Sequence, residues 1–175
     1  NKAIEIDPKS SDAFLYRAYT LRILKHYQEA LETMNQVWDI SPQNIEVVNS
    51  RALILSLLKD FDKAIKTIDK AIAMQPQEVL LKANRGIILA RAGRYNDAFA
   101  NFEQAIKQDP NHESGYYGKA CYYALQGNTE QAINNLQIAI DISSRNSRSE
   151  AKYNPDFDSI RGDTRFQALV YGKCT

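Results

Sequence analysis

Along this chain, segments with apolar residues at helical spacing alternate with brief polar breaks. One segment carries Ala18 and Leu21, the break Lys25-His26 follows, and the next segment carries Ala30 and Met34. Residues three or four apart share a helix face, so each segment predicts an amphipathic helix and each pair a helical hairpin. The pattern then recurs. Pro8, Pro42, Pro76 and Pro110 are each separated by 34 residues, and Ala30, Ala64, Ala98 and Ala132 keep the same step. Tyr27, Phe61 and Tyr95 follow it too, with Thr129 as the exception. The later breaks are Lys59-Asp60, Gly93-Arg94 and Gly127-Asn128, whose glycines suit a left-handed residue at a helix C-terminus. Asp7-Pro8, Ser41-Pro42, Gln75-Pro76 and Asp109-Pro110 close the units, because proline disfavours helix in the residue before it.

The recurrence predicts units over 11–44, 45–78, 79–112 and 113–146, beginning at Ser11, Ile45, Val79 and Glu113. Residues 1–10 read as the second helix of a truncated preceding unit, and residues 147–175 as capping helices. Small residues stand where paired helices must approach: Ala18, Ala52, Gly86 and Ala120 in the first helices, and the periodic alanines in the second. Leu21, Leu55, Leu89 and Tyr123, with Met34, Ile68, Phe102 and Leu136, supply the bulky fill. One hairpin does not bury both of its apolar faces, so stability is expected from stacking. In the tail, Phe157, Ile160, Phe166, Leu169 and Val170 are expected to cover the end of the stack, with Asp163 capping a last helix over Thr164–Tyr171.

With these residues in place, the chain from Asn1 to about Ser144 resembles the tetratricopeptide repeat family, whose pattern is W-x2-L-G-x2-Y, then A-x3-F, then A and P. The third unit matches it with Gly86, Leu89, Gly93, Tyr95, Ala98, Phe102, Ala105 and Pro110. Departures are Lys82 for the first aromatic, Val37 for an alanine, Ser144 for the last proline, and Arg17, Arg51, Arg85 and Lys119 at the usual leucine. The resemblance implies an all-α fold, a right-handed α-α superhelix (solenoid) of stacked antiparallel helical hairpins. It also implies a concave groove, lined by first helices, that receives a protein or peptide. The groove positions carried over are Tyr16, Tyr19, Arg22, Asn49, Leu53, Asn84, Ile87, Arg91, Tyr117 and Cys121. The amides of Asn49 and Asn84 suit an extended peptide backbone, and Tyr16, Tyr19 and Tyr117 are amphipathic anchors. The family's clamp for a carboxylate terminus is broken, since Leu15 and Tyr19 stand where it has lysine and asparagine. The tail is similar to the closing element of many bacterial members, which implies a bacterial origin.

Composition narrows the function further. A content of 44% hydrophobic residues suffices for a buried interior, and 22 basic against 21 acidic side chains leave no general field for nucleic acid or membrane. The ladder Arg17, Arg51, Arg85 and Lys119 could be a basic stripe, but pairing with acidic residues of adjacent helices is the expected role, so nucleic acid is disfavoured. No apolar run reaches the ~20 residues of a membrane span. A soluble chain is expected, with the cytoplasm favoured; Asn1 in place of an initiator Met suggests a piece of a longer protein.

Catalysis lacks its parts. His26 and His112 both fall at turns, and Cys121 lies within a helix far from Cys174. Asp156-x-Asp158 has Arg161 and Gln167 where a calcium loop needs glycine and glutamate, and no phosphate-binding loop motif occurs. No cofactor, metal or small-molecule substrate is expected. The expected role is a non-enzymatic scaffold or adaptor for a protein or peptide; the alternative is an accessory region of a larger enzyme or signalling protein. The tyrosines Tyr116, Tyr117, Tyr122 and Tyr123 predict packing between units, with homo-oligomerisation as the lesser alternative.

Overall fold

The computed structural model describes residues 11–172, apart from the side chains of residues 39 and 40. The helix expected over residues 1–10, and Cys174, lie outside the described residues. Ten α-helices follow in order: α1 (Ser11–Ile23), α2 (Tyr27–Ile40), α3 (Ile45–Leu57), α4 (Phe61–Met74), α5 (Val79–Arg91), α6 (Tyr95–Gln108), α7 (Glu113–Leu125), α8 (Thr129–Ile142), α9 (Ser144–Tyr153) and α10 (Thr164–Tyr171). A short 3₁₀ turn, Pro155–Phe157, precedes the last helix. No strand occurs among the described residues. The chain divides into two compact units, Asn1–Gln77 and Glu78–Thr175. Among the described residues the first contains α1–α4 and the second α5–α10.

All four hairpin turns are built alike. The second residue after the first helix is left-handed, with φ of 61° at Lys25, 64° at Lys59, 77° at Gly93 and 74° at Gly127. The amide of the following residue then donates back to the last helical turn: His26 to Leu21, Asp60 to Leu55, Arg94 to Leu89 and Asn128 to Tyr123. These bonds satisfy carbonyls that the helix end would otherwise leave open. Gly93 and Gly127 were expected to be left-handed; Lys25 and Lys59 adopt the same geometry with a side chain that resists it. Several helices, among them α3, α4, α8 and α10, begin on side-chain caps. Asn44 accepts from the amides of Glu46 and Val47, Asp60 from Lys63, Asn128 from Gln131 and, as expected, Asp163 from Arg165.

In the first unit, Phe14 and Ala18 of α1, Ala30, Met34 and Val37 of α2, and Val47 and Ile54 of α3 form one buried cluster. Helix α3 therefore completes the core begun by α1 and α2, which is the stacking that the spacing predicts. The eight small residues expected at close approaches are all buried. Among the bulky residues, Met34, Leu55, Ile68, Leu89, Phe102 and Leu136 are buried, whereas Leu21 and Tyr123 are half-buried.

In the second unit the contact between hairpins is tighter. The buried ring of Phe102 on α6 lies against Gly86 of α5 and Gly118 of α7, and a Cβ at either glycine would overlap it. Tyr122 of α7 covers the same region, its ring centroid 5.8 Å from Tyr95, 5.7 Å from Phe99 and 6.1 Å from Phe102. Packing between successive hairpins, expected of the tyrosines, is thus what Tyr122 does.

Two substitutions separate the roles of turn and core. Lys59→Gly removes left-handed strain and is expected to stabilise the chain by about 1 kcal/mol. Gly118→Ala forces the Phe102 ring to move and is expected to destabilise it by about 1–3 kcal/mol. Urea denaturation followed by circular dichroism measures both.

Candidate functional site

The residues expected to line a groove fall into two groups, one in each unit. In the first unit Tyr16, Tyr19 and Arg22 lie on α1, and Asn49 and Leu53 on α3. Tyr16 is 75% exposed, and the Arg22 guanidinium sits 4.9 Å from the centroid of the half-exposed Tyr19 ring. Asn49 and Leu53 are half-buried. This face presents aromatic surface beside a cation and an amide, a combination suited to a peptide.

In the second unit Asn84, Ile87 and Arg91 lie on α5, and Tyr117 and Cys121 on α7. Asn84 and Ile87 are buried, only 7% and 5% exposed, so their side chains serve the interior. Arg91, Tyr117 and Cys121 converge on one place, and the chain's own residues Asn154–Phe157 occupy it. The Arg91 guanidinium donates to both Asp156 carboxylate oxygens, Nε to Oδ1 at 2.9 Å and Nη2 to Oδ2 at 2.9 Å. The two side chains are 10% and 5% exposed. Asn154 Nδ2 donates to the Tyr117 hydroxyl at 3.0 Å and to Cys121 Sγ at 3.3 Å, while its Oδ1 accepts from the Asp156 amide at 3.1 Å. The Phe157 ring meets Tyr117 nearly perpendicularly at 5.8 Å and Phe166 at 5.5 Å. Ser159 Oγ donates to the Ala124 carbonyl at the end of α7.

The cleft is electrostatically unusual. Burial pushes both the Cys121 thiol and the Tyr117 hydroxyl well above their ordinary ranges, and the Asp156 charge adds to this for each. Burial works against the charge of Arg91, but the Asp156 carboxylate outweighs it and holds the guanidinium protonated. Cys121 is therefore a protonated, inaccessible thiol. Sequence reasoning placed Phe157 in the cap but missed the partnership of Asn154 and Asp156 with α5 and α7. A pairing across 65 residues has no periodic signal to announce it.

Other candidate chemistry resolves into structure. Asp158 is bonded by Arg161, so with Asp156 on Arg91 both carboxylates of the calcium-like motif are engaged by arginines. His26 Nδ1 lies 2.7 Å from Glu29 at the surface, and His112 Nδ1 accepts from the Ser114 amide as the cap of α7. In the ladder, Arg51 donates to Asn35 and Thr67 and lies over Trp38, Arg85 donates to Asn101, and Lys119 pairs with Glu103 at 2.9 Å. An acidic partner is seen at Lys119, and amide and hydroxyl oxygens accept from Arg51 and Arg85. Among the described residues no three His, Cys, Asp or Glu side chains are grouped to hold a metal ion, and no helix is long and apolar enough to cross a membrane.

The raised thiol and phenol values set a pH dependence. Both groups stay protonated in the fold while the unfolded chain ionises at about 8.5 for Cys and about 10 for Tyr. Their contribution is complete below about pH 8.5 and is lost as pH rises toward the raised folded values. Thermal unfolding between pH 8 and 10.5 is expected to show a falling Tm, and Cys121→Ala is expected to flatten its lower part.

Comparison with known proteins agrees with this architecture. Models described as tetratricopeptide repeat match residues 1–32 and 101–134, and residues 51–113, together more than half of the chain. Among curated proteins no sequence matches. Among solved structures, PilW, a type IV pilus biogenesis factor, is similar with a TM-score of 0.63 and 21% identity over 98% of this chain and 81% of its own. MamA is similar with a TM-score of 0.56 and 16% identity over 84% of this chain and 86% of its own. YrrB, described as having an unusual peptide-binding site, is similar with a TM-score of 0.52 and 24% identity over 86% of this chain and 78% of its own. These likenesses place the fold in the all-α solenoid class of stacked helical hairpins. On its repeat pattern, its helical hairpins and these matches, the chain belongs to the tetratricopeptide repeat family.

Proposed function

We propose that this chain is a non-enzymatic scaffold that holds a segment of another protein on a face formed by first helices within one unit. The observation that carries this reading is the cleft of the second unit. There, side chains of α5 and α7 already grip a stretch of polypeptide through a two-pronged guanidinium, a phenol and a ring contact. The corresponding face of the first unit has Tyr16, Tyr19 and Arg22 on α1 and Asn49 and Leu53 on α3, and we assign it to the partner. Exposed aromatic rings contribute large contact area at small entropic cost, and the Asn49 amide suits the backbone of an extended segment.

The state of the reactive groups supports a binding role. Cys121 is buried and protonated, and the two histidines are engaged at turns. The bonds of Arg51, Arg85 and Lys119 within their own units favour a structural ladder over a phosphate-binding stripe. Titration of RNA or DNA is expected to give no salt-dependent gel shift.

A partner segment identified by affinity capture provides the direct measurement, read by calorimetry against the wild-type chain and the triple variant Tyr16→Ala, Tyr19→Ala, Asn49→Ala. Truncating three such contacts is expected to weaken binding at least about tenfold, since a hot-spot side chain contributes about 2 kcal/mol or more. Circular dichroism is expected to be unchanged. Equal affinity for the two proteins would remove this face from consideration.

A further inference from the structure

The closing segment reaches the first-helix face in a way that ordinary stacking does not require. After α9 the chain forms a turn at Asn154-Pro155-Asp156-Phe157 whose side chains enter the cleft of α5 and α7. The turn is shaped by its own groups and by Arg161, which lies outside that cleft. Asn154 Oδ1 accepts from the Asp156 amide, Pro155 fixes the backbone between them, and Arg161 donates to the carbonyls of Lys152 at 2.7 Å and Asn154 at 2.8 Å. The shape of the ligand and the shape of its receptor are thus built by separate residues.

We propose that the cleft lined by Arg91, Tyr117 and Cys121 is a receptor for an Asn-Pro-Asp-aromatic turn, filled in cis by Asn154–Phe157, and that a partner segment of the same chemistry enters by displacing this stretch. The proposal deepens the reading of the first-helix face as the binding face and rests on it. Each element of the motif has a reader. The carboxylate is read by two donors on one edge of Arg91, which favours a planar carboxylate over other acceptors. The asparagine amide is read by the Tyr117 hydroxyl and Cys121 Sγ, and the aromatic ring by a perpendicular contact with the Tyr117 ring.

The burial of Arg91 makes occupancy selective. A guanidinium held out of water without a carboxylate is strongly unfavourable, so a competitor lacking the acid does not replace the resident turn. Covalent attachment gives the resident an effective concentration of the order of millimolar. A free peptide therefore binds the intact chain weakly, and much better once the resident turn is impaired.

The experiment uses the full chain in a Cys174→Ser background, so that Cys121 is the single thiol, and a fluorescein-labelled peptide spanning residues 151–163. Fluorescence anisotropy is measured with the wild-type turn and with Asp156→Ala, and alkylation of Cys121 by N-ethylmaleimide is timed in each. Asp156→Ala is expected to bind the peptide at least tenfold more tightly than the wild-type turn does and to react at Cys121 at least tenfold faster, with added peptide restoring protection. A peptide with asparagine at the position of Asp156 is expected to show at least tenfold weaker binding. Phe157→Ala, which keeps the ion pair, is the second variant and is expected to move both readouts in the same direction. Equal peptide affinity in all proteins, or a Cys121 equally protected in both folded variants, overturns the proposal. So does loss of helicity in both variants, which would make the turn an inseparable part of the fold. Since α1 and α3 are untouched, failure here leaves the partner titration at Tyr16, Tyr19 and Asn49 to be judged by its own result.

Discussion

The whole structure depends on how closely two helices can approach, because a hairpin has more apolar surface than its own two helices can cover. Alanine or glycine at the crossing points permits that approach, and the bulky neighbours then fill what remains. The first unit shows this in Ala18 and Ala30 beside Met34, with Val47 and Ile54 of the next hairpin closing the same cluster. The second unit takes it further, with one phenylalanine ring between two glycines that belong to different hairpins. Here a side chain occupies the volume that a Cβ would have taken, so hairpin spacing is set by the absence of two atoms.

Helix-end chemistry supports this packing. Left-handed residues turn each first helix back on itself, and four of the second-helix or closing-helix carbonyls are met by the amides of Ser41, Gln75, Asp109 and Ser143 before the next unit begins. These bonds contribute little individually, yet they determine where each helix stops and hence which residue reaches the crossing point. Two lysines take a conformation that glycine adopts more easily, so the turn geometry is imposed by the hairpin on its sequence and not only by the sequence on the hairpin.

At the end of the chain the same economy of space creates a different kind of contact. The first-helix face of α5 and α7 is closed by a polar turn, with a buried ion pair at its centre and aromatic rings around it. Burying a guanidinium and a carboxylate together costs desolvation that good geometry largely offsets, and its main effect is to accept one arrangement and reject near alternatives. The two histidines and the motif resembling a calcium loop lose their apparent chemical interest for a similar reason: neighbours already engage Nδ1 of each histidine and both carboxylates.

How much could be read from the residues follows the range of each interaction. The hairpins, the left-handed Gly93 and Gly127, the cap at Asp163 and the small residues at close approaches depend on neighbours within a turn or on a strict period, and both are written linearly in the chain. Phe157, Phe166 and Val170 were recognisable as a cover because a stack must end somewhere, although Asp156 and Asn154 were not recognisable as its polar core. Which groove positions stand open was likewise hidden, since Tyr19 and Cys121 occupy the same place in their repeats, yet the ring is exposed and the thiol is sealed by what the rest of the chain lays against it. Sequence by itself determined the repeat, its family and its helices, because these are local or periodic. Tertiary structure alone decided that Arg91 meets Asp156 and that Cys121 is sealed, because a single contact between residues 65 apart depends on the path of everything between them.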